Sequence, residues 1–184
     1  RLDWNGSVPY LQAGAQLGLK YTLGNKIRVK SQEESKTRDF VNLAMGMQFL
    51  SDAENIGFGN TGGVQFGAGI GRWISPAWGV RLSGEFAASN YKEKEDALLK
   101  AIRLGGRMDM MLNPFALNRA YKPTRWETAL LAGYECGLGV SVGDNRTYNS
   151  LSAGAQLRRN TNEGHALYVE PRYSFGENQF SVTA

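Results

Sequence analysis

The sequence predicts an all-β protein, an antiparallel up-and-down transmembrane β-barrel of about 8 to 10 strands. Three observations lead to this prediction. Long runs of the chain alternate between apolar and polar residues with a period of two, which is typical of strands. One face of these runs is apolar, whereas the other carries glycine or charge. Short polar turns and charged loops separate the runs, as the connections of hairpins do.

The clearest unit is a hairpin between Gly63 and Asn90, whose two runs flank the turn Ser75–Trp78. In the first run the apolar face alternates with glutamine and three glycines, and in the second it alternates with arginine, serine and glutamate. The apolar residues are Val64, Phe66, Ala68 and Ile70 in the first run, and Val80, Leu82, Phe86 and Ala88 in the second. Because glycine and paired charge do not form a dry core, we expect the apolar face to lie outside, against lipid, and the polar face to line a narrow lumen.

The other runs show the same alternation. The run Tyr10–Leu23 is longer than the usual strand of about five or six residues, and its length suits a tilted membrane strand of about 9 to 11 residues. Further strands are expected over 40–49, 102–112, 126–138, 150–158 and 167–175, with a short last strand from Gln179. The count is about eight from Phe40 onward, and about ten when Tyr10–Leu23 and the short piece Ile56–Phe58 join the wall. We favour ten, since Tyr10–Leu23 is too well patterned to be a tail.

Composition limits the alternatives. A length of 184 residues predicts a single domain over 1–184. No apolar run approaches the roughly 20 residues that a membrane-spanning helix needs. Cys136 is the only cysteine, so neither an intrachain disulfide nor a cysteine-rich metal site is expected. The net charge of +4 is spread over turns and strand faces, which does not favour nucleic-acid binding. No cofactor and no metal are expected.

The charged residues of the inward faces are of both signs and nearly balanced. We expect them to form a network of ion pairs that fills the lumen, since a barrel of about eight strands has room for little more than side chains. A binding or conducting lumen is the alternative. The network would comprise Arg81, Glu85, Arg103, Arg107, Asp109, Glu127, Glu135, Arg158, Glu170 and Arg172, with Lys20 on the first strand. At the edges of the apolar belt, Trp73, Trp78 and Trp126 are expected as aromatic residues of the membrane interface.

No catalytic residues are predicted. Glu127 and Glu135 lie on one strand, too far apart to act together on one bond. His165, the only histidine, lies in a turn, and a Ser-His-acid site would need it beside a serine and an acid. The sequence therefore favours a protein that is not an enzyme.

Two short sequence motifs resemble segments of a known family of barrels. The run Gly-Ala-Gly-Ile-Gly-Arg-Trp ending at Trp73, and Tyr-Val-Glu-Pro-Arg-Tyr over 168–173, resemble segments of the small OmpA-like outer-membrane barrels of Bacteroides-type bacteria (Bacteroidota). The resemblance implies a Gram-negative outer membrane, contact with its lipid and lipopolysaccharide, and a role as anchor, scaffold or accessory subunit of an envelope complex. It also implies short periplasmic turns and longer extracellular loops. The turns would be Ser75–Trp78, Pro114–Arg125 and Asn160–Gly164, and the loops Asn25–Asp39, Tyr91–Asp96 and Gly143–Thr147.

The short last strand suggests that another segment completes the barrel. A strand of about six residues would leave backbone groups unpaired in lipid. We therefore expect the chain to continue past Ala184, for instance into a peptidoglycan-binding domain, or a partner to supply the missing edge.

Two other functions remain open. One is a narrow porin. The other is a soluble lipocalin-like ligand-binding barrel, since Gly71-Arg72-Trp73 matches the lipocalin Gly-x-Trp word. In lipocalins that motif lies on the first strand, and the apolar face of the strands points inward. Here the motif is in mid-sequence, and the face opposite the apolar one carries glycine and charged residues.

Overall fold

A computed structural model describes residues 8–23, 38–52, 62–92, 98–118, 124–141, 144–161 and 165–180. Within these ranges eight antiparallel strands close into one barrel, in which each strand pairs with its sequence neighbours and β8 pairs with β1. The strands are β1 Val8–Leu23, β2 Arg38–Asp52, β3 Gly62–Trp73, β4 Trp78–Lys92, β5 Leu98–Leu112, β6 Trp126–Ser141, β7 Asp144–Asn160 and β8 His165–Phe180. One 3₁₀ turn, Pro114–Leu117, precedes β6. None of the described residues forms a helix that is long and apolar enough to cross a membrane. The all-β barrel prediction is confirmed.

The register gives the barrel a steep stagger. Cα partners followed from Leu19 once around the wall lead to Pro9, ten residues back along the same strand. With ordinary strand spacings, this stagger tilts the strands by about 40° from the barrel axis. A strand of 16 residues, such as β1, then rises about 40 Å along the axis.

The two faces of the wall differ as the alternation predicts. On β5, Leu104 points outward and is 61% exposed, whereas Arg107 and Asp109 point inward and are at most 2% exposed. Leu131 on β6 likewise lies inside. Across the described strands the outward residues are mostly large and apolar, and the inward ones are mostly polar or charged. The barrel is therefore apolar outside and polar inside.

Inward glycines make room for large inward side chains. A Cβ on Gly18 would collide with the ring of Tyr168, and one on Gly71 would collide with the ring of Phe40. Tyr168 and Phe40 are among the largest fully buried side chains. The glycine-rich inward face thus makes room for bulky residues on the neighbouring strands, since Gly18 pairs with Tyr168 and Gly71 with Phe40.

The preferred count of ten strands is wrong, because the wall closes with eight. Tyr10–Leu23 does join it, as part of β1, and Ile56–Phe58 lies outside the described residues. The predicted start of a separate last strand at Gln179 is wrong, because Gly176 and Glu177 are part of β8, which continues to Phe180. Gly176 allows the backbones of β8 and β7 to approach closely, since a Cβ there would collide with the carbonyl oxygen of Asn149.

The last strand is therefore not short, and its edge is not open. β8 pairs with β1 from Val8↔Asn178 to Tyr21↔His165. β8 is as long as its neighbours. The length of the last strand therefore no longer argues for a missing segment after Ala184.

The two ends of the barrel carry different connections. At the end where β1 begins and β8 ends, here called the terminal end, lie the connections 53–61, 93–97 and 142–143. At the opposite end, here called the loop end, lie the connections 24–37, 74–77, 113–125 and 161–164. The predicted sorting of loops was wrong for Asn25–Asp39, which joins strand ends at the same side as Ser75–Trp78, Pro114–Arg125 and Asn160–Gly164. The error came from counting Ile56–Phe58 as a strand, which inverts the direction of the chain for everything before it.

The close approach of glycine to bulky side chains predicts a strong difference between two adjacent glycines of β5. A Cβ on Gly105 would collide with the hydroxyl of Tyr148, whereas a Cβ on Gly106, which points outward, would meet nothing within 4 Å. We expect Gly105→Val to lower the free energy of unfolding by at least about 1–3 kcal/mol through overpacking. Gly106→Val should leave it unchanged or raise it, since valine favours strands. Denaturant titration of both variants in detergent measures the difference, and equal losses would contradict the packing described here.

Candidate functional site

All ten charged residues assigned to the lumen from the sequence are buried inside the barrel, as is Lys20. The ten come from five strands, β4 to β8, and Lys20 adds β1. Together they form three layers along the barrel axis. The layers are described in turn, because they differ in how their charges are neutralised.

The central cluster consists of Arg81, Asp109, Glu170 and Arg172. Arg81 donates to both carboxylate oxygens of Glu170 at 2.8 Å, and through Nε and Nη2 to Asp109 Oδ2 at 2.9 and 2.6 Å. Arg172 donates to Asp109 Oδ1 and to Glu170 Oε1, both at 2.8 Å. Each carboxylate therefore lies between two guanidinium groups, and fork-shaped donors of this kind form the strongest charge-assisted hydrogen bonds.

The topology explains why these residues meet. Arg81 and Asp109 are Cα partners on neighbouring strands, β4 and β5. Glu170 and Arg172 lie two residues apart on β8, so both point inward. In a ring of eight strands β8 lies opposite β4, so the pair Arg81–Glu170 crosses the lumen. The central cluster thus ties opposite walls of the barrel together.

Arg107 extends the central cluster toward the terminal end. It forms an ion pair with Glu85, its Nε lies 3.3 Å from Asp109 Oδ2, and its Nη1 lies 4.0 Å from Glu135. Glu135 also accepts a hydrogen bond from the hydroxyl of Tyr148 at 3.0 Å. The Nη2 of Arg107 also lies 3.9 Å from Glu170 Oε1. One guanidinium thus serves four carboxylates.

The layer at the terminal end is built around Arg103. This guanidinium donates to Gln12 Oε1 at 2.7 Å and to the hydroxyl of Tyr10 at 2.8 Å. Its central carbon lies 3.8 Å from the ring centroid of Tyr148, a cation–π geometry. The prediction that Arg103 pairs with an acid was wrong among the described residues, because neutral acceptors and aromatic rings surround it instead.

The layer at the loop end combines one ion pair with apolar packing. Arg158 donates through Nε to Glu127 at 2.7 Å, and Asn160 donates to the same carboxylate at 2.8 Å. Lys20 Nζ lies 3.8 Å from the ring centroid of Phe40. Beneath them a buried apolar cluster closes this part of the lumen; it consists of Phe40, Trp73, Met111, Ala129 and Leu131.

Trp73 belongs to this interior layer, so its assignment to the membrane interface was wrong. Its side chain is 6% exposed, and Lys20 and Arg158 approach its ring at 5.3 and 5.0 Å. The alternation of β3 places Trp73 on the same face as Gln65, so the period of two already indicated an inward side chain. Trp78 and Trp126 do lie on the outer surface at the loop end, about half exposed.

A small polar cavity lies in the described part of the interior. This cavity of about 10 Å³ lies between Gln12, Gln16, Gln65, Arg107 and Arg172, which is about the minimum for a single water molecule. Sequence reasoning assigned the charges but gave no role to these glutamines or to Tyr10, Tyr148 and Tyr168. Their inward positions in the alternation were the signal that would have found them.

The described ranges contain no group of His, Cys, Asp and Glu that could hold a metal ion. His165 lies on the outer surface, where its ring centroid is 4.9 Å from that of Tyr21. What the arrangement can do chemically is hold opposite walls together and fill the lumen.

Comparison of the chain with protein-family models and with curated proteins gives no match. The resemblance to OmpA-like barrels therefore stays a prediction, and the functional argument depends on the geometry alone.

The central cluster predicts a large cost for removing one carboxylate. Glu170→Gln keeps the shape of the side chain but leaves Arg81 and Arg172 with one buried counter-charge between them. We expect the free energy of unfolding to fall by about 3–5 kcal/mol, as for other buried pairs that lose one partner. Denaturant titration in detergent provides the measurement.

The control is Asp39→Asn, which breaks the exposed pair with Arg72 on the outer surface. Exposed pairs contribute little, so this variant should unfold like the original chain. Similar behaviour of Glu170→Gln and Asp39→Asn would show that the cluster does not hold the barrel together.

Proposed function

We propose that this chain is an integral outer-membrane β-barrel with a closed lumen, which acts as a structural anchor or as an accessory subunit of an envelope assembly. The observation that carries the proposal is the reversed polarity of the barrel. Large apolar side chains cover its outside, while ion pairs fill its inside. In water this arrangement would expose apolar side chains to solvent and remove charged side chains from it. In a bilayer the apolar side chains contact lipid, and the charged side chains lie inside the barrel.

The size of the apolar surface supports a membrane location. On β5 the outward residues are apolar from Ile102 to Leu112, which corresponds to about 25 Å along the barrel axis at a tilt of about 40°. Outer-membrane barrels carry an apolar band of about this height, with aromatic residues at its edges. Trp78 and Trp126 lie at the loop-end edge of the belt.

The interior argues against a lipocalin-like binder. A ligand-binding barrel needs an apolar cavity of at least a few hundred Å³, whereas the cavity found here has a volume of about 10 Å³ and polar walls. A narrow porin is disfavoured for a related reason. The pair Arg81–Glu170 crosses the lumen, and Phe40 and Trp73 pack beside it at the loop end.

Loop lengths favour one orientation. Outer-membrane barrels have short periplasmic turns and longer extracellular loops. The two longest connections, 24–37 and 113–125, both lie at the loop end. We therefore propose that the loop end faces the outside of the cell, so that the chain ends lie on the periplasmic side, where a further domain or an envelope partner would be reached.

A charge on the outer surface should separate a membrane barrel from a soluble one. Met108 and Leu117 are equally exposed, at 62% and 59%, but Met108 lies near the middle of the belt and Leu117 in the turn at the loop end. In a bilayer, Met108→Arg should cost about 2–4 kcal/mol and Leu117→Arg close to nothing. In a soluble barrel both would be tolerated equally.

The measurement is the fraction of folded protein after assembly into lipid vesicles, read as the band of unheated samples that migrates differently from the heated one. Equal folded fractions for the two variants, or a protein that stays monodisperse in plain buffer without detergent, would contradict the membrane function.

The closed lumen predicts the absence of conductance. Inserted into planar bilayers, the protein should give no stable large-conductance steps, because the central cluster spans the lumen and a buried ion pair is costly to open. Arg81→Ala with Glu170→Ala should also give no such steps, because Phe40, Trp73 and Met111 still close the lumen at the loop end. Stable steps from the original chain would favour a porin instead.

A further inference from the structure

Arginines at the loop end are neutralised unequally. The structure describes the side chains of four of them, namely Arg72, Arg125, Arg158 and Arg159. Arg72 is paired with Asp39, and Arg158 is paired with Glu127. For Arg125 and Arg159, no carboxylate partner is found among the described residues. Among the described residues, these two positive charges on neighbouring strand ends have no acidic partner.

The first of these charges lies on the outer surface beside a tryptophan. Arg159 and Trp126 are Cα partners of β7 and β6, and the guanidinium carbon lies 5.8 Å from the ring centroid of Trp126. Trp126 is 55% exposed. The preceding residue, Arg158, points into the lumen, so the alternation of β7 sends one arginine to its acid inside and the next to the outer edge of the apolar belt.

The second charge is held close to the first by the backbone. The amide of Asn160 donates to the carbonyl oxygen of Arg125 at 2.8 Å. The side chain of Asn160 donates to the carbonyl oxygen of Thr124 at 3.2 Å and to Glu127 at 2.8 Å. Asn160 thereby ties the start of β6 to the end of β7, and it holds the backbone of Arg125 one residue away from the Cα partners Trp126 and Arg159.

We propose that Arg125, Arg159 and Trp126 bind a phosphate group of lipid A, the membrane anchor of lipopolysaccharide. Guanidinium groups bind phosphate through paired hydrogen bonds, and a partly exposed tryptophan suits the boundary between acyl chains and headgroups. The inference depends on the proposed membrane function and orientation, because only a loop end at the cell surface meets the leaflet that contains lipopolysaccharide. Arg72, already neutralised by Asp39, has no such role.

Native mass spectrometry of the detergent-solubilised protein tests this site with lipid A as the added probe. The original chain should retain lipid A, and Arg125→Gln with Arg159→Gln should bind it about tenfold more weakly or worse, since it loses two charge-assisted contacts. The single variant Arg159→Gln, at an exposed position, provides the same comparison if the double variant folds poorly. The matched control is Arg72→Gln with Asp39→Asn, which removes an exposed ion pair at the same edge and should bind lipid A as the original chain does.

Two further probes identify the source of the phosphate. Phosphatidylglycerol and inorganic phosphate, added separately at equal concentration, should displace lipid A poorly. Displacement by phosphatidylglycerol as strong as that by lipid A itself would overturn the assignment to lipopolysaccharide, and so would unchanged lipid A binding by the arginine variants.

The two levels of the proposal fail in different ways. A barrel that is heat-modifiable and assembles into vesicles, but whose arginine variants bind lipid A normally, overturns the lipid A site alone. A protein that shows neither property overturns the membrane function and the lipid A site together.

Discussion

The ion pair between Arg81 and Glu170 is the contact on which the rest of the barrel depends. These residues come from opposite walls, and with Asp109 and Arg172 they form a closed set in which each carboxylate lies between two guanidinium groups. Charges buried in a narrow lumen are costly unless they are paired and hydrogen-bonded. The pairing is complete only when all eight strands have closed into the ring, so closure of the wall and neutralisation of its interior require each other.

The packing of the interior also depends on small inward residues that lie beside large ones on neighbouring strands. Gly18 and Gly71 carry no side chain where Tyr168 and Phe40 need space, so small residues on one strand match large residues on another. The same fit leaves room for the central cluster and for the apolar layer of Phe40, Trp73 and Met111. This packing is the reason why we propose a structural role rather than transport.

The alternation of residues was enough to predict the all-β barrel with an apolar outside and a polar inside. It also placed inside the barrel the eleven charged residues that are buried among the described residues, namely the ten of the network and Lys20. The reason is that the period of two is a local property of a strand and needs no knowledge of its neighbours. Where the prediction for Trp73 failed, it did so because a preference of tryptophan for membrane interfaces was placed above the alternation, which already indicated an inward side chain.

What the sequence by itself determined, then, is which face each residue occupies. Only the tertiary structure decided how many strands form the wall and which charges meet inside it. A glycine such as Gly176 is typical of a turn in a sequence, but Gly176 lies within β8. Glycine is found both in turns and where two backbones approach closely. Arg103 was assigned correctly to the interior, yet its neighbours are Tyr10, Gln12 and Tyr148 rather than an acid. Contacts across the lumen depend on the stagger accumulated around the closed barrel, and that stagger is set by the pairing of all eight strands together, which no single stretch of sequence contains.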